Sequence, residues 1–370
     1  MKSLNVYGQA SPEGLLPHYK ISSNRLRLDT LWAGPRHFSF ESSVEQQFLW
    51  SDPADFAPLS PGDFNRRLDL DKTWRHSDHW QSRLQMDRLN FAWQNNRTDS
   101  VIGRQAIGYG RILIFSPLDV IAPFAPDAID TDVRTGVDAI RSTMHYGLDG
   151  QIGAVMVWGE ESRYNSYLAT WSDNYSEIDF LAIGGILRDR TMFGIGLAGN
   201  LGQLGIKGEV TYYNSHNKSK PDGDLHNDFA IGALETWYRF DNGLTLVMEY
   251  LYNGPGANKA KNYDAALNSA ALQEGLTYLL GQHYLMITPS YEFHPLTNLQ
   301  GILIWNLKDD SALIRPSVDF DLAENLSLEL FWTWHVGEKP KISADTLSIV
   351  PSSEFGLRGD YGGFFLKLYF

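Results

Sequence analysis

The side chains able to do chemistry are few in kind. The chain has ten histidines and no cysteine, which removes disulfides, thiolate metal sites, thiol nucleophiles and Cys-x-x-Cys-His haem attachment. His76-Ser77-Asp78-His79 is the only close histidine pair, and two imidazoles without a third ligand nearby seldom hold a metal firmly. His18, His37, His145, His216, His226, His283, His294 and His335 are scattered. Their spacing makes no nucleophile–base set. Neither a Gly-x-Ser-x-Gly elbow nor a phosphate-cradling Gly-x-x-x-x-Gly-Lys-Ser/Thr loop is present. These residues predict no catalytic site, no metal and no cofactor.

The chemistry that remains is electrostatic. Arg104, Arg111, Asp119, Asp127, Asp130, Asp132, Arg134, Asp138 and Arg141 crowd into one stretch. Acidic and basic rows facing across a narrow opening would set up a transverse field that orients and filters solutes. The same charges could form ion pairs that pin a loop to a wall, and the two roles are compatible. Among them, 112–130 carries Ile112, Leu113, Ile114, Phe115, Leu118, Val120, Ile121, Phe124 and Ile129, interrupted by Pro117, Pro123 and Pro126. A segment this apolar is expected to pack against something. Arg104 is the first candidate for an inward charge, because alternation sets it opposite Val101, Ile107 and Tyr109.

The elements that must position these groups are long, two-faced strands. Leu326, Leu328, Leu330, Trp332, Trp334 and Val336 alternate with Ser327, Glu329, Thr333 and His335, the period of a strand with one apolar and one polar face. Ala312, Ile314, Pro316, Val318, Phe320 and Leu322 do the same against Arg315, Ser317, Asp319 and Asp321. So do Phe38, Phe40, Val44, Phe48 and Trp50 against Ser39, Glu41, Ser43, Glu45 and Gln47. Many such segments run about 10–16 residues, the length that crosses a bilayer at a tilt near 45°. Trp32, Trp50, Trp93, Trp158, Tyr252, Trp305 and Trp334 stand near segment ends, where interfacial girdles sit. No apolar run approaches the ~20 residues of a membrane-spanning helix.

Connections divide into two classes. Ala33-Gly34-Pro35, Leu148-Asp149-Gly150, Asp241-Asn242-Gly243, Pro295-Leu296-Thr297 and Ala323-Glu324-Asn325 are tight, whereas 51–78, 107–130, 214–226, 255–276 and 337–352 are long. Tracing the strands up and down puts the classes on opposite ends, with the short end expected to be periplasmic. The predicted strands are roughly 3–9, 19–33, 36–50, 79–94, 97–107, 131–146, 149–160, 165–173, 177–187, 189–200, 203–215, 227–241, 244–254, 279–294, 297–308, 311–321, 325–336 and 353–370. That is about 18 strands, or about 16 without 3–9 and 165–173. A short helix is predicted in Tyr263–Gln273. The expected fold is all-β: one transmembrane antiparallel up-and-down barrel over 1–370, with 107–134 folded inward as a constriction or plug, since a ring this wide leaves an aqueous lumen.

The chain ends in Gly362-Gly363-Phe364-Phe365-Leu366-Lys367-Leu368-Tyr369-Phe370. An alternating last strand closed by Phe370 resembles the signal read by the barrel assembly machinery of Gram-negative outer membranes. Ile102-Gly103-Arg104-Gln105 followed by Tyr109-Gly110 resembles a strand and loop start of alginate-export-type and related porin-like barrels. The resemblance implies an outer-membrane channel with outer-membrane lipid and lipopolysaccharide around it. The inward candidates Arg25, Arg27, Arg104, Arg141, Lys207, Arg315 and Lys367 nearly balance Asp29, Glu41, Glu45, Glu209, Glu249, Glu292, Asp319, Asp321 and Glu329. A polyanion such as alginate is therefore not favoured, and small hydrophilic solutes are the expected cargo. The alternatives are an exopolysaccharide export pore, or a barrel sheathing a periplasmic multihaem cytochrome as its partner protein. Net charge of −13 without a basic stripe argues against nucleic acid. Met1-Lys2-Ser3 leads straight into Leu4-Asn5-Val6-Tyr7 with no apolar leader, as expected of a mature exported chain behind a start methionine.

Overall fold

The computed structural model describes residues 1–9, 18–35, 37–54, 65–214, 223–342 and 349–370. Its first strands are β1 (Lys2–Gln9), β2 (His18–Ala33), β3 (Phe38–Asp52), β4 (Asp71–Arg75), β5 (Trp80–Gln94), β6 (Thr98–Gln105) and β7 (Val137–Tyr146). Next come β8 (Gly150–Val157), β9 (Ser166–Tyr175), β10 (Ile178–Leu187), β11 (Arg190–Leu201), β12 (Leu204–Tyr213), β13 (Phe229–Arg239) and β14 (Thr245–Asn253). Then follow β15 (His283–His294), β16 (Thr297–Asn306), β17 (Ser311–Ala323), β18 (Leu326–Val336), the two-residue strands β19 (Lys341–Ile342) and β20 (Ile349–Val350), and β21 (Tyr361–Leu368). Eighteen strands form a closed antiparallel ring in which β1 pairs with β2 on one side and β21 on the other. Closure gives each of the eighteen ring strands a partner on both sides, the condition for a sheet to stand in hydrocarbon.

The two faces fall as the alternation requires. On β18, Leu330, Trp332, Trp334 and Val336 are exposed on the outside, while Phe331, Thr333 and His335 are buried inside. Leu28 is 64% exposed and Phe193 56%; an apolar surface this extensive needs lipid to cover it. The inside is not uniformly polar. Inward residues of β8 to β17, including Val157, Ile183, Met192, Ile231, Leu251, Met286, Ile304 and Leu313, form one apolar core with the chain between β6 and β7.

The sheet departs from expectation where that chain leaves it. The strand predicted at 97–107 stops at Gln105, and the one predicted from 131 starts at Val137. The last strand begins at Tyr361, not 353, because 355–357 forms a 3-10 turn. Strand β4, predicted as loop, takes the edge of β5 that the short β6 leaves open: β6 pairs with Leu89–Gln94 and β4 with Gln81–Gln85. The predicted helix is two short pieces, α1 (Tyr263–Leu267) and α2 (Ala270–Gln273). At the long-loop end, the β10–β11 connection is only Arg188-Asp189.

Candidate functional site

The site is the segment 106–136 and the wall it meets. It leaves β6 through a seam at Gly103, whose φ is +115°. A Cβ there would lie 2.2 Å from the Leu89 carbonyl oxygen, so only glycine fits so close to β5. Arg104 closes the seam. It is 1% exposed and donates from Nε to Asp138 Oδ1 at 2.8 Å, from Nη1 to the Met86 carbonyl at 2.9 Å and from Nη2 to the Leu68 carbonyl at 2.5 Å. Asp138 also accepts the Arg67 and Leu68 amides, each at 2.8 Å. Arg104 thus caps a carbonyl of β5 and one of the chain leading into β4, where the ladder changes partner. Its expected place opposite an outward Val101 does not hold: Ile102 is the outward residue, in register between exposed Phe91 and Ile140. Ile107 and Tyr109 belong to the interior core, because alternation loses its meaning once the chain leaves the sheet.

Inside the ring, 111–118 lies along β12 to β14 and hands its backbone donors to three wall carboxylates. Glu209 accepts the Arg111 amide at 2.7 Å, the Leu118 amide at 3.2 Å, the Ile112 amide at 3.3 Å and the Ser116 hydroxyl. Glu235 accepts the Leu113 amide at 2.5 Å, and Glu249 those of Ile114 and Phe115 at 3.3 and 3.4 Å. Segment 111–118 is irregular, with a bend at 113–114 and a turn at 117–118, and has no ladder partner, so these glutamates supply the acceptors that its backbone amides would otherwise lack. Leu118, 0% exposed, fills a notch in β11 where Gly194 and Gly196 have no side chains; a Cβ on either would come within 2.6 Å of it.

Beyond Leu118 the segment crosses the lumen. Arg188, buried in its two-residue turn, donates to the Val120 and Ile121 carbonyls at 3.1 and 3.0 Å and to the Glu274 carbonyl. Asp119 pairs with Arg134, whose guanidinium lies 4.9 Å from the Phe124 ring centroid. Burial pushes the Asp119 carboxyl up to about 6, against the pull of Arg134. On the far side, Asp127 pairs with Arg358 at 2.5 Å, and the Asp127 and Ala128 carbonyls accept from Arg315. Asp130 meets Lys2 at 2.9 Å and also Arg25; Asp132 meets Lys2 at 2.8 Å and Lys367 at 3.3 Å. Burial opposes ionisation of Asp130, but Arg25 and Lys2 outweigh it and hold the carboxyl below its usual range.

The structure therefore brings Asp119 and Arg134 together, Asp138 and Arg104 together, and Asp127, Asp130 and Asp132 onto the basic wall. Arg111 stands apart, 3.9 Å from Asp179, and Arg141 has no ion pair among the described residues. Acidic loop and basic wall touch, so along that contact they close a gap. Open space remains to either side of 121–132. Two cavities of about 230 and 560 Å³ share Arg25, Gln47 and Arg83 on the β2–β5 wall; a third of about 400 Å³ is lined by Asp132, Gln300, Arg315, Asp319, Glu329 and Lys367. His76 and His79 are engaged elsewhere, with Ser82 Oγ at 2.8 Å and the Ser51 carbonyl at 2.7 Å. No group of three metal-ligating side chains occurs among the described residues.

Sequence reasoning placed Glu209 and Glu249 inward without a role and passed over Glu235 and Arg188. The signal for the glutamates was present but non-local: three inward carboxylates on consecutive strands, with Glu235 directly opposite Glu249. Like charges so placed repel unless donors from elsewhere meet them.

Neither a family model nor a curated protein matches the chain by sequence. Its architecture is similar to two crystal structures from Acinetobacter baumannii. OccAB4 aligns with 10% identity and a TM-score of 0.60 over 99% of this chain and 95% of that one. OccAB1 aligns with 10% identity and a TM-score of 0.56 over 99% and 94%. At such identity the likeness establishes the fold: a closed, porin-like β-barrel.

Proposed function

We propose that this chain is an outer-membrane channel through which small hydrophilic solutes diffuse, with 106–136 setting the width of the passage. The observation that carries this reading is the clamping of that segment across the lumen. Its apolar side chains fill one flank and its carboxylates rest on the other wall, leaving polar, mixed-charge spaces of a few hundred Å³ beside it. A ring of 16–18 strands is too wide for wall side chains to fill, so the inserted segment decides what passes. The short-turn end, with both termini, faces the periplasm, and Phe370 is the handle for the assembly machinery. Passage of a polysaccharide would require the segment to leave its glutamates, which disfavours an export pore. In planar bilayers the purified barrel conducts ions, and deletion of 112–130 raises unit conductance several-fold. Equal conductance before and after deletion refutes the constriction; absence of conductance from both proteins refutes the channel.

A further inference from the structure

The apolar part of the inner wall is covered on one flank and open on the other. From β8 to β17 the inserted segment packs against it. On β1 to β3 nothing does. Register sets Val6 opposite Ile21, and Leu4 and Leu49 on either side of Ser23, all on the lumen face. None of these four aliphatic residues belongs to the apolar core. They line the larger of the two cavities on this wall, about 560 Å³, and Ile129 of the inserted segment lines it too. Wall and segment thus present hydrocarbon to one open space. Its volume lies within the range of about 300–1,000 Å³ that small-molecule sites span.

The charges bordering this cavity are Arg25, Arg83, Arg358 and Asp127, and each is already met. Arg25 pairs with Asp130, Arg83 with Asp71 at 2.7 Å, and Arg358 with Asp127 at 2.5 Å. Among the neutral polar groups, Gln47 donates to Ser23 Oγ at 2.9 Å. Gln81, directly opposite Leu49 in the ladder, makes no side-chain hydrogen bond among the described residues.

We propose that this cavity binds a small neutral molecule with an apolar ring or short alkyl body and one hydroxyl or carbonyl head. The body lies against Leu4, Val6, Ile21, Leu49 and Ile129, where removing hydrocarbon from water stabilises the complex. The head meets the Gln81 carboxamide, which both donates and accepts. A carboxylate or ammonium finds no unpaired charge here and would have to break an existing pair. A polyol would press hydroxyls against hydrocarbon, and a wholly apolar molecule would bury Gln81 without a partner. As a statement of which solute enters the passage, the inference rests on the channel reading above.

The chain has no cysteine, so Thr73→Cys places a sole thiol on the lining of this cavity, and Ser317→Cys one on the lining of the third. In detergent, 4-methylbenzyl alcohol slows labelling of Thr73→Cys by a water-soluble methanethiosulfonate several-fold and leaves Ser317→Cys unaffected. 4-Methylbenzoate and sorbitol protect neither. Adding Leu49→Asn or Ile129→Asn to Thr73→Cys raises the alcohol concentration needed about tenfold, as expected for losing one buried aliphatic contact. Ile129 lies off the wall, so its variant keeps the test open where Leu49→Asn fails to give the heat-dependent gel migration of a folded barrel. No protection by the alcohol at Thr73→Cys, equal protection at Ser317→Cys, protection by the benzoate or sorbitol as strong as by the alcohol, or an unchanged requirement in the folded asparagine variants would each overturn the inference. Labelling and current separate the two readings. Conduction without protection removes this site alone, and protection without conduction keeps the site and removes the channel.

Discussion

Replacing Glu209 by alanine removes one carboxylate and strands four donors of the inserted segment. Glu209 is 5% exposed and takes the amides of Arg111, Ile112 and Leu118 and the Ser116 hydroxyl. A hydrogen bond to a charged group contributes about 1.5–3 kcal/mol net. Counting the Arg111 and Ser116 bonds as full and the two longer ones as weak gives about 3–6 kcal/mol. The alanine variant recovers part of the cost of burying a carboxylate, several kcal/mol per ion. The net loss of docking energy is then about 2–4 kcal/mol, a shift of about 30- to 700-fold between docked and lifted segment. Amide hydrogen exchange measures that opening directly. Protection at residues 111, 112 and 118 falls by this factor in Glu209→Ala, with a smaller fall in Glu209→Gln, which keeps one carbonyl acceptor. Open-channel current becomes noisier as the segment samples the lifted state. Unchanged exchange at these three amides would refute the reasoning. It would show that Leu118 in its glycine notch and the apolar core hold the segment by themselves.

Arg104→Ala leaves Asp138 buried and unpaired and uncovers the Met86 and Leu68 carbonyls, so the barrel loses about 3–5 kcal/mol; the temperature of its unfolded-band shift on gels drops while unit conductance is retained. Gly196→Val drives a methyl toward Leu118, 2.6 Å from the Cβ position, at a cost of about 1–3 kcal/mol. Faster exchange at Leu118 checks it. The Asp119 carboxyl takes its proton near 6, against 3.8 when free, so the folded chain binds more protons between these values. Stability from this group is therefore greatest at low pH and declines as pH rises through that window. Thermal unfolding of the parent and Asp119→Asn should converge near pH 4, with the asparagine variant the more stable at pH 7; the reverse order would sink this assignment.

Barrel class, strand number and the apolar side of the long strands such as β3, β17 and β18 were legible in the residues; on β6 the sides were not, since Ile102 and not Val101 faces outward. A period of two is a local property: Leu330, Trp332 and Trp334 share a face whatever their neighbours do. The turn Asp241-Asn242-Gly243 is local too, since Gly243 adopts a φ of +88° that glycine tolerates without strain. The apolar content of 112–130 likewise announced that this loop must be buried.

What the residues alone did not decide is what each inward group touches. Arg104 read as a free lumen charge because alternation was counted from Val101 through Ile107 and Tyr109, whereas Ile102 is the outward residue, the backbone kinks at Gly103 and the chain leaves the wall after Gln105. The opposition of Glu235 and Glu249 exists only once the β13–β14 register is set, and the amides that meet them come from 122 and 135 positions away. Lys2 and Lys367 reach Asp132 from the two ends of the chain because the ring closes between β1 and β21. Pattern along the chain fixes faces; only closure brings distant segments into one lumen, and the contacts made there determine whether a charge guards a passage or holds the segment that narrows it.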